Sequence, residues 1–214
     1  GTKERCRRRE DLSMAQNRNP VPGGLEALPR LACGLGASQA AVIPSGAIPV
    51  EDRLAALCRD PRCPSYGLSA SCPPHVSGPA GFRELREGFR HAVVFKIEVP
   101  QEILLSSERQ EIFRLLHQIA AGIEVEARER GHTRSRAFAG GSCKGLFCAD
   151  QAGCRVVDEG GVCRNPDRAR PSMSGFGIDV SRLMAAAGWP MNRAEPKVGG
   201  NGPTTGTVCG LVLV

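Results

Sequence analysis

The chain has 214 residues, enough for one sizeable domain with its own core or for two small ones. Hydrophobic residues make up 41% and aromatic residues only 4%, so any core must be built from Leu, Val, Ile and Ala, while 26 Gly and 16 Pro imply many turns. The net charge is +6, and the first twenty residues alone supply +3 (Lys3, Arg5, Arg7, Arg8, Arg9 and Arg18 against Glu4, Glu10 and Asp11), so the charge is no nucleic-acid footprint.

Residues 1–23 are polar and Arg-rich and end in Pro20, Pro22, Gly23 and Gly24, the composition of a disordered basic tail or a partner-binding arm. Residues 24–214 are expected to form a single metal-binding domain. Leu25, Leu28, Leu31 and Leu35 stand at helical spacing, with Pro29 fitting a first turn and Gly34 and Gly36 a stop. Ala40–Val50 is expected to be a pair of strands broken at Pro44, Ser45 and Gly46. Phe82, Leu85 and Phe89 predict a short amphipathic helix, and Ala92–Val99 is the clearest strand, stopped by Pro100. Ser107 with Gln110 suggests a capping box opening the longest helix, with Ile112, Leu115, Leu116, Ile119 and Ile123 as its apolar stripe. Gly131 ends it, and a short strand over Arg136–Ala139 follows. Asp179 is placed to cap a helix carrying Val180, Leu183, Met184 and Ala187. Residues 195–206 read as a Gly/Pro loop, and Thr207–Val214 as a terminal strand. This order predicts an α/β or α+β fold: a single sheet with flanking helices and two cysteine-rich metal-binding loops.

Ten cysteines dominate the reading. A chain this long and this rich in aliphatic residues needs no disulfide staples. No apolar run reaches membrane-spanning length and no signal peptide is visible, so a reducing cytoplasm is the expected location. Clustered cysteines there point to metal. Cys143, Cys148, Cys154 and Cys163 fall within 21 residues, with intervening gaps of 4, 5 and 8, in a glycine-rich segment. Four thiolates in such a loop suit an iron–sulfur cluster or a tetrahedral zinc. Zinc sites more often use paired two-residue gaps, so the looser spacing favours iron and sulfur.

Cys58, Cys63 and Cys72 form a second group, with gaps of 4 and 8. A closed site needs a fourth ligand, for which His75, Cys33, Cys6 and Cys209 are the choices. Without one, the site keeps an open metal position that can bind substrate. Cys33 and Cys209 sit in apolar sequence and read by default as small buried hydrophobes. Tyr66 belongs to packing at the edge of this site. Arg164, Arg168 and Arg170 read as charge balance for an anionic cluster or as an anion site. His91, His117 and His132 read as structural, Ser172 and Asp179 as turn or cap residues. The run at 199–206 lacks the setting of a phosphate loop. There is no Ser–His–Asp or H-E-x-x-H pattern.

The segments CRDPRCPSYGLSASCPPH, FAGGSCKGLFC and CRNPDRARPSMSGFGIDV resemble a family of metal-binding proteins of unknown function from anaerobic bacteria and archaea, over roughly residues 25–190. The resemblance rests on a C…CPSYG…CPP element, a GGSC element and a C-R-x-P…RPSM…GIDV element. It implies a small cysteine-rich iron–sulfur protein with Cys58, Cys63, Cys72, Cys143, Cys148, Cys154 and Cys163 as ligands. The gaps after Cys143 and Cys154 are longer than the tight version of the pattern. The expected cofactors are therefore iron–sulfur clusters, two of the 4Fe-4S kind, with zinc as the alternative. The expected role is redox or electron transfer, alone or as a subunit of a redox complex. An enzyme with an open three-cysteine cluster and a zinc-stabilised interaction module are the alternatives. The expected partner is a redox protein or a small anionic substrate.

Overall fold

The computed structural model describes residues 24–189 and 204–214. The expected basic tail at 1–23 and most of the expected Gly/Pro loop lie outside the described residues. The rest folds around one four-stranded antiparallel sheet: β1 (Gln39–Pro44), β2 (His91–Pro100), β3 (Arg136–Phe138) and β4 (Thr205–Leu213), in the order β1-β2-β4-β3. In register, Val42 faces Val93 and Val93 faces Val212, while Ala137 faces Val212 from the other side. This is the expected single sheet with helices, in its antiparallel form.

Both faces of the sheet are buried, and β2 shows why. Val93, Phe95 and Ile97 point to one face, and Ala92, Val94 and Lys96 to the other, as strand alternation requires. The first face is covered by α1 (Ala27–Gly34) and the long α5 (Arg109–Glu129). Leu116, Ile119 and Ile123 of α5 are fully buried, each contributing about 1.5–3 kcal/mol. The second face is covered by α3 (Gly78–Glu87), a 3₁₀ turn at Met173–Phe176 and α8 (Val180–Ala186). There Phe82, Phe138 and Phe176 meet edge-on or tilted, with centroids 5.1–5.7 Å apart. The core is otherwise aliphatic, as the composition requires.

Several elements differ from expectation. The strand pair over Ala40–Val50 reduces to β1. Ser45–Ala47 is a 3₁₀ turn, and Val50 makes only an isolated bridge to Ile178. Pro44 and Pro49 have no N–H to give a ladder, and Ser45 Oγ donates instead to Phe89 O at 2.5 Å. Two short helices, α2 (Asp52–Ala56) and α4 (Gln101–Leu105), lack a sequence signal long enough to show. The capping box at Ser107 does not form. Ser106 Oγ accepts from the Glu108 N–H at 3.1 Å, one residue earlier than the sequence suggests. Asp179 does cap α8, accepting from the Arg182 N–H at 3.1 Å. The terminal strand begins two residues before Thr207.

The free edge of β3 positions the cysteine loops. Past Phe138, Ala139 pairs in parallel with Ser172, and the Ser172 N–H donates to Ser71 O at 2.9 Å. Two segments distant in sequence are thus laid side by side at one edge of the sheet.

Candidate metal centre

The second cysteine loop leaves the sheet at Ala139 and returns at Pro171, whose carbonyl accepts the Ala139 N–H at 2.9 Å. Within it stand α6 (Cys143–Phe147) and the single turn α7 (Arg155–Asp158). Ser142 caps α6, and Cys154 occupies the capping position of α7. Lys144 stitches the loop by donating to Cys148 O at 2.7 Å and Gln151 O at 2.6 Å.

The ends of this loop are clamped by α5. His117 is fully buried; its Nε2 bonds Gly140 O at 3.1 Å, and its Nδ1 accepts the Arg170 N–H at 3.0 Å. One neutral imidazole therefore holds residues on both sides of the loop. Burial, with Arg170 nearby, pushes its pKa down to about 4. Beside it Glu124, also buried, accepts from the Ala137 N–H at 2.9 Å, from Arg128 at 3.0 Å and from Arg170 at 2.8 Å. Arg170 is thus committed to Glu124 and to the carbonyls of Pro166 and Ala169, so it does not serve as the charge balance for a cluster that the sequence suggested. His117 is structural, as expected, with a specific task.

The structure places Cys143, Cys148, Cys154 and Cys163 along the lining of one small cavity, partly open to solvent. Lys144, Arg155, Arg164 and Asn165 share its lining. Donors converge on the sulfurs. Ser71 Oγ donates to Cys143 Sγ at 3.0 Å. The Asn165 N–H donates to Cys163 Sγ and Asn165 Nδ2 to Cys148 Sγ, both at 3.3 Å. Burial works to raise the Cys154 thiol, but the N–H groups of Ala70, Val157 and Val156 outweigh it and hold it below the usual thiol range. Burial holds the Cys143 thiol up against the Ser71 hydroxyl that donates to it, with Cys72 and Cys163 adding to the rise. Hydrogen-bond donors aimed at sulfur are what a bound thiolate needs, so this donor set fits an anionic metal–thiolate group.

The first cysteine segment is a tight coil between α2 and α3. The Cys63 N–H donates to Cys58 O at 3.0 Å, the Tyr66 N–H to Cys63 O at 2.9 Å and the Gly67 N–H to Pro73 O at 2.8 Å. The Asp60–Pro61 and Pro73–Pro74 bonds are cis. Burial raises the Cys58 thiol, and the neighbouring Cys63 and Cys72 raise it further. Cys72 is buried and Cys63 exposed. Arg62 lies over the Tyr66 ring at 5.8 Å, at the edge of the group. Of the fourth-ligand choices, His75 is exposed and its Nε2 bonds Gly67 O at 3.2 Å. Cys209 lies inside β4, where burial pushes its thiol up to about 12, the behaviour of an inert core residue. Cys33, half-buried on α1, is disulfide-bonded, so it is neither the free core thiol expected nor available as a ligand, and the expectation of a chain without disulfides does not hold. Cys6 lies outside the described residues.

All seven expected ligands are free thiols. Among the described residues, no three His, Cys, Asp or Glu side chains converge on a single ion position. Sequence reasoning missed Ser69, Ser71 and Asn165 as groups that line the sulfurs. A signal was present: a serine immediately precedes a candidate ligand in Ser71–Cys72 and again in Ser142–Cys143.

Fold and site define a cysteine-rich α and β protein with four thiols lining one cavity. The chain matches the family described as "Predicted metal-binding protein (DUF2284)" over residues 41–214, and it belongs to that family. The match leaves out α1 and extends past residue 190 to take in β4, a central strand without which the sheet is incomplete. No curated protein and no solved structure matches the chain. No helix among the described residues is long and apolar enough to cross a membrane.

Proposed function

We propose that the protein carries two iron–sulfur clusters of the 4Fe-4S kind and serves in electron transfer, alone or as a subunit of a redox complex. One observation carries this reading: four cysteine thiols line a single cavity, with hydroxyl, amide and backbone N–H donors turned toward their sulfurs. A polynuclear cluster takes one sulfur on each of several irons and spreads them around such a space, whereas a lone zinc draws four sulfurs to one point. Donors to sulfur are also a recognised means of setting a cluster's potential. Bound there, the cluster would supply reversible one-electron chemistry. The chain's own residues hold it and screen its charge.

A specific observation favours a second reading at the first site. Cys58, Cys63 and Cys72 share one short coil in which the Cys63 N–H donates to Cys58 O, while His75 is turned to a backbone carbonyl, Cys209 is sealed in the sheet and Cys33 is disulfide-bonded. A three-cysteine cluster would leave one iron open to a substrate, the arrangement of an enzyme working by substrate activation or sulfur chemistry. Exposed Arg59 and Arg62 beside exposed Cys63 suit a small anionic substrate or an acidic redox partner. Free thiols at all seven positions suit a reducing cytoplasm, whereas the disulfide at Cys33 does not.

The test is anaerobic purification followed by an absorption spectrum and quantitation of iron, sulfide and zinc. A brown protein with about eight irons and as many sulfides per chain is expected. A colourless protein with one or two zincs overturns the redox reading in favour of a zinc-stabilised interaction module.

A further inference from the structure

Residues 69–72 belong by sequence to the first cysteine segment, yet they reach into the second. Ser71 Oγ donates to Cys143 Sγ at 3.0 Å. Ser69 Oγ lies 3.0 Å from Ser71 Oγ and 3.5 Å from Ser142 Oγ. Ser69 and Ser71 are both buried, so their hydroxyls do not exchange these partners freely for water. A hydroxyl has one proton. Since Ser71 gives its own to Cys143, Ser69 donates to Ser71, and the bonds run in one direction, from Ser69 through Ser71 to the sulfur.

Ser71 is also covalently joined to Cys72 of the first site, whose Sγ lies 3.9 Å from its Oγ. Its carbonyl is fixed by the Ser172 N–H, which belongs to the strand-like run closing the second loop. A metal on Cys72 would therefore fix the backbone that aims the Ser71 hydroxyl. A metal on Cys143 would make that hydrogen bond charge-assisted and hold the same backbone from the other side.

We propose that Ser71 couples the two cysteine sites, so that each retains its metal more firmly when the other is filled. The proposal rests on the reading of both cysteine groups as metal sites. Ser71 is a positioning residue, acting through Cys143 and Cys72. Coupling between binding sites is reciprocal, and a factor of about ten is an ordinary magnitude.

The experiment uses the full chain, purified anaerobically with its own metal and exposed to a chelator. The readout is the rate at which Cys143 and Cys148 become alkylated by iodoacetamide, followed by peptide mass spectrometry, with total metal measured in parallel. The double variant Cys58→Ala/Cys63→Ala, which disables the first site, is expected to expose Cys143 and Cys148 about tenfold faster than the wild type. Ser71→Ala alone is expected to do the same with the first site's cysteines intact. The triple variant should be no faster than either, because all three changes remove one coupling. Ser69→Ala, which removes only the donor behind Ser71, should move the rate in the same direction by less; it carries the test if Ser71→Ala loses the wild-type circular dichroism spectrum. Multiplied effects in the triple variant mean that Ser71 supports Cys143 only locally, and they overturn the proposal. So does a wild-type rate in Cys58→Ala/Cys63→Ala. A wild-type chain with metal in one segment or neither overturns the proposal together with the reading beneath it.

Discussion

Gly141 opens the second cysteine loop with φ at 75°, and a Cβ there would meet the Phe113 ring at 3.2 Å. An L side chain in this region costs about 1–2 kcal/mol, and the ring of Phe113 would have to give as well. Gly141→Ala is expected to lower stability by about that amount, seen as a lower urea midpoint at unchanged slope. Asn165 acts at the far end of the loop, donating to two sulfurs at once. Asn165→Leu removes the side-chain donor to Cys148 and leaves the backbone donor to Cys163. If the centre is a cluster, its reduction potential should fall, since an N–H facing sulfur favours the more negative, reduced form. A potentiometric titration checks this, and an unchanged potential would deny Asn165 that role. Neither residue stands out in the sequence: a glycine pair and an asparagine after a cysteine are common, and their meaning lies in the ring and the sulfurs they face.

Helix α5 was legible from its apolar stripe, and its core-facing residues are buried where periodicity puts them. Its polar residues on that side were not legible. His117 and Glu124 are buried polar groups that interrupt the stripe, and only their partners explain them. Glu124→Ala strips acceptors from Ala137, Arg128 and Arg170 together. Because Arg170 is left buried, the expected cost is about 3–5 kcal/mol, measured by chemical denaturation.

His117 gives α5 a pH dependence of definite sign. Its pKa is about 4 in the folded chain against 6.5 for the free side chain. Between those values the unfolded chain takes up a proton that the folded ring refuses, so stability is complete above about pH 6.5 and falls as pH drops toward 4, by up to about 3 kcal/mol. Denaturation curves of metal-free protein at pH 7 and pH 5 should show this loss, and His117→Phe should reduce the difference between them. An equal difference in the variant would place the titrating group elsewhere.

At the scale of the molecule, the two cysteine sites are attached to the fold unequally. The second fills the space between β3, α5 and the return at Pro171. The first is a coil between α2 and α3 with Cys63 at the surface. Cys143→Ala and Cys148→Ala are therefore expected to lower the thermal midpoint sharply, with a loss of several kcal/mol where a bound metal contributes to folding. Cys58→Ala should leave the fold near wild type while losing metal from its own site. Scanning calorimetry with metal analysis decides it. Wild-type melting temperatures in all three variants would mean that neither site is structural, and an equal drop in all three that both are.

The sequence by itself determined the aliphatic core, the β2 strand, the long helix, the Asp179 cap and the grouping of cysteines into three and four. These are local matters: periodicity, chain stiffness and spacing act within about a dozen residues. It did not determine the antiparallel order β1-β2-β4-β3, the reduction of Ala40–Val50 to one strand, or the commitment of Arg170 to Glu124 rather than to a cluster. Nor could it show that Ser71 lies against Cys143, 72 residues further on. Those follow from which backbone groups at the β3 edge find partners. The Ala139–Ser172–Ser71 contact is set by hydrogen bonds between distant segments, and no local pattern encodes it.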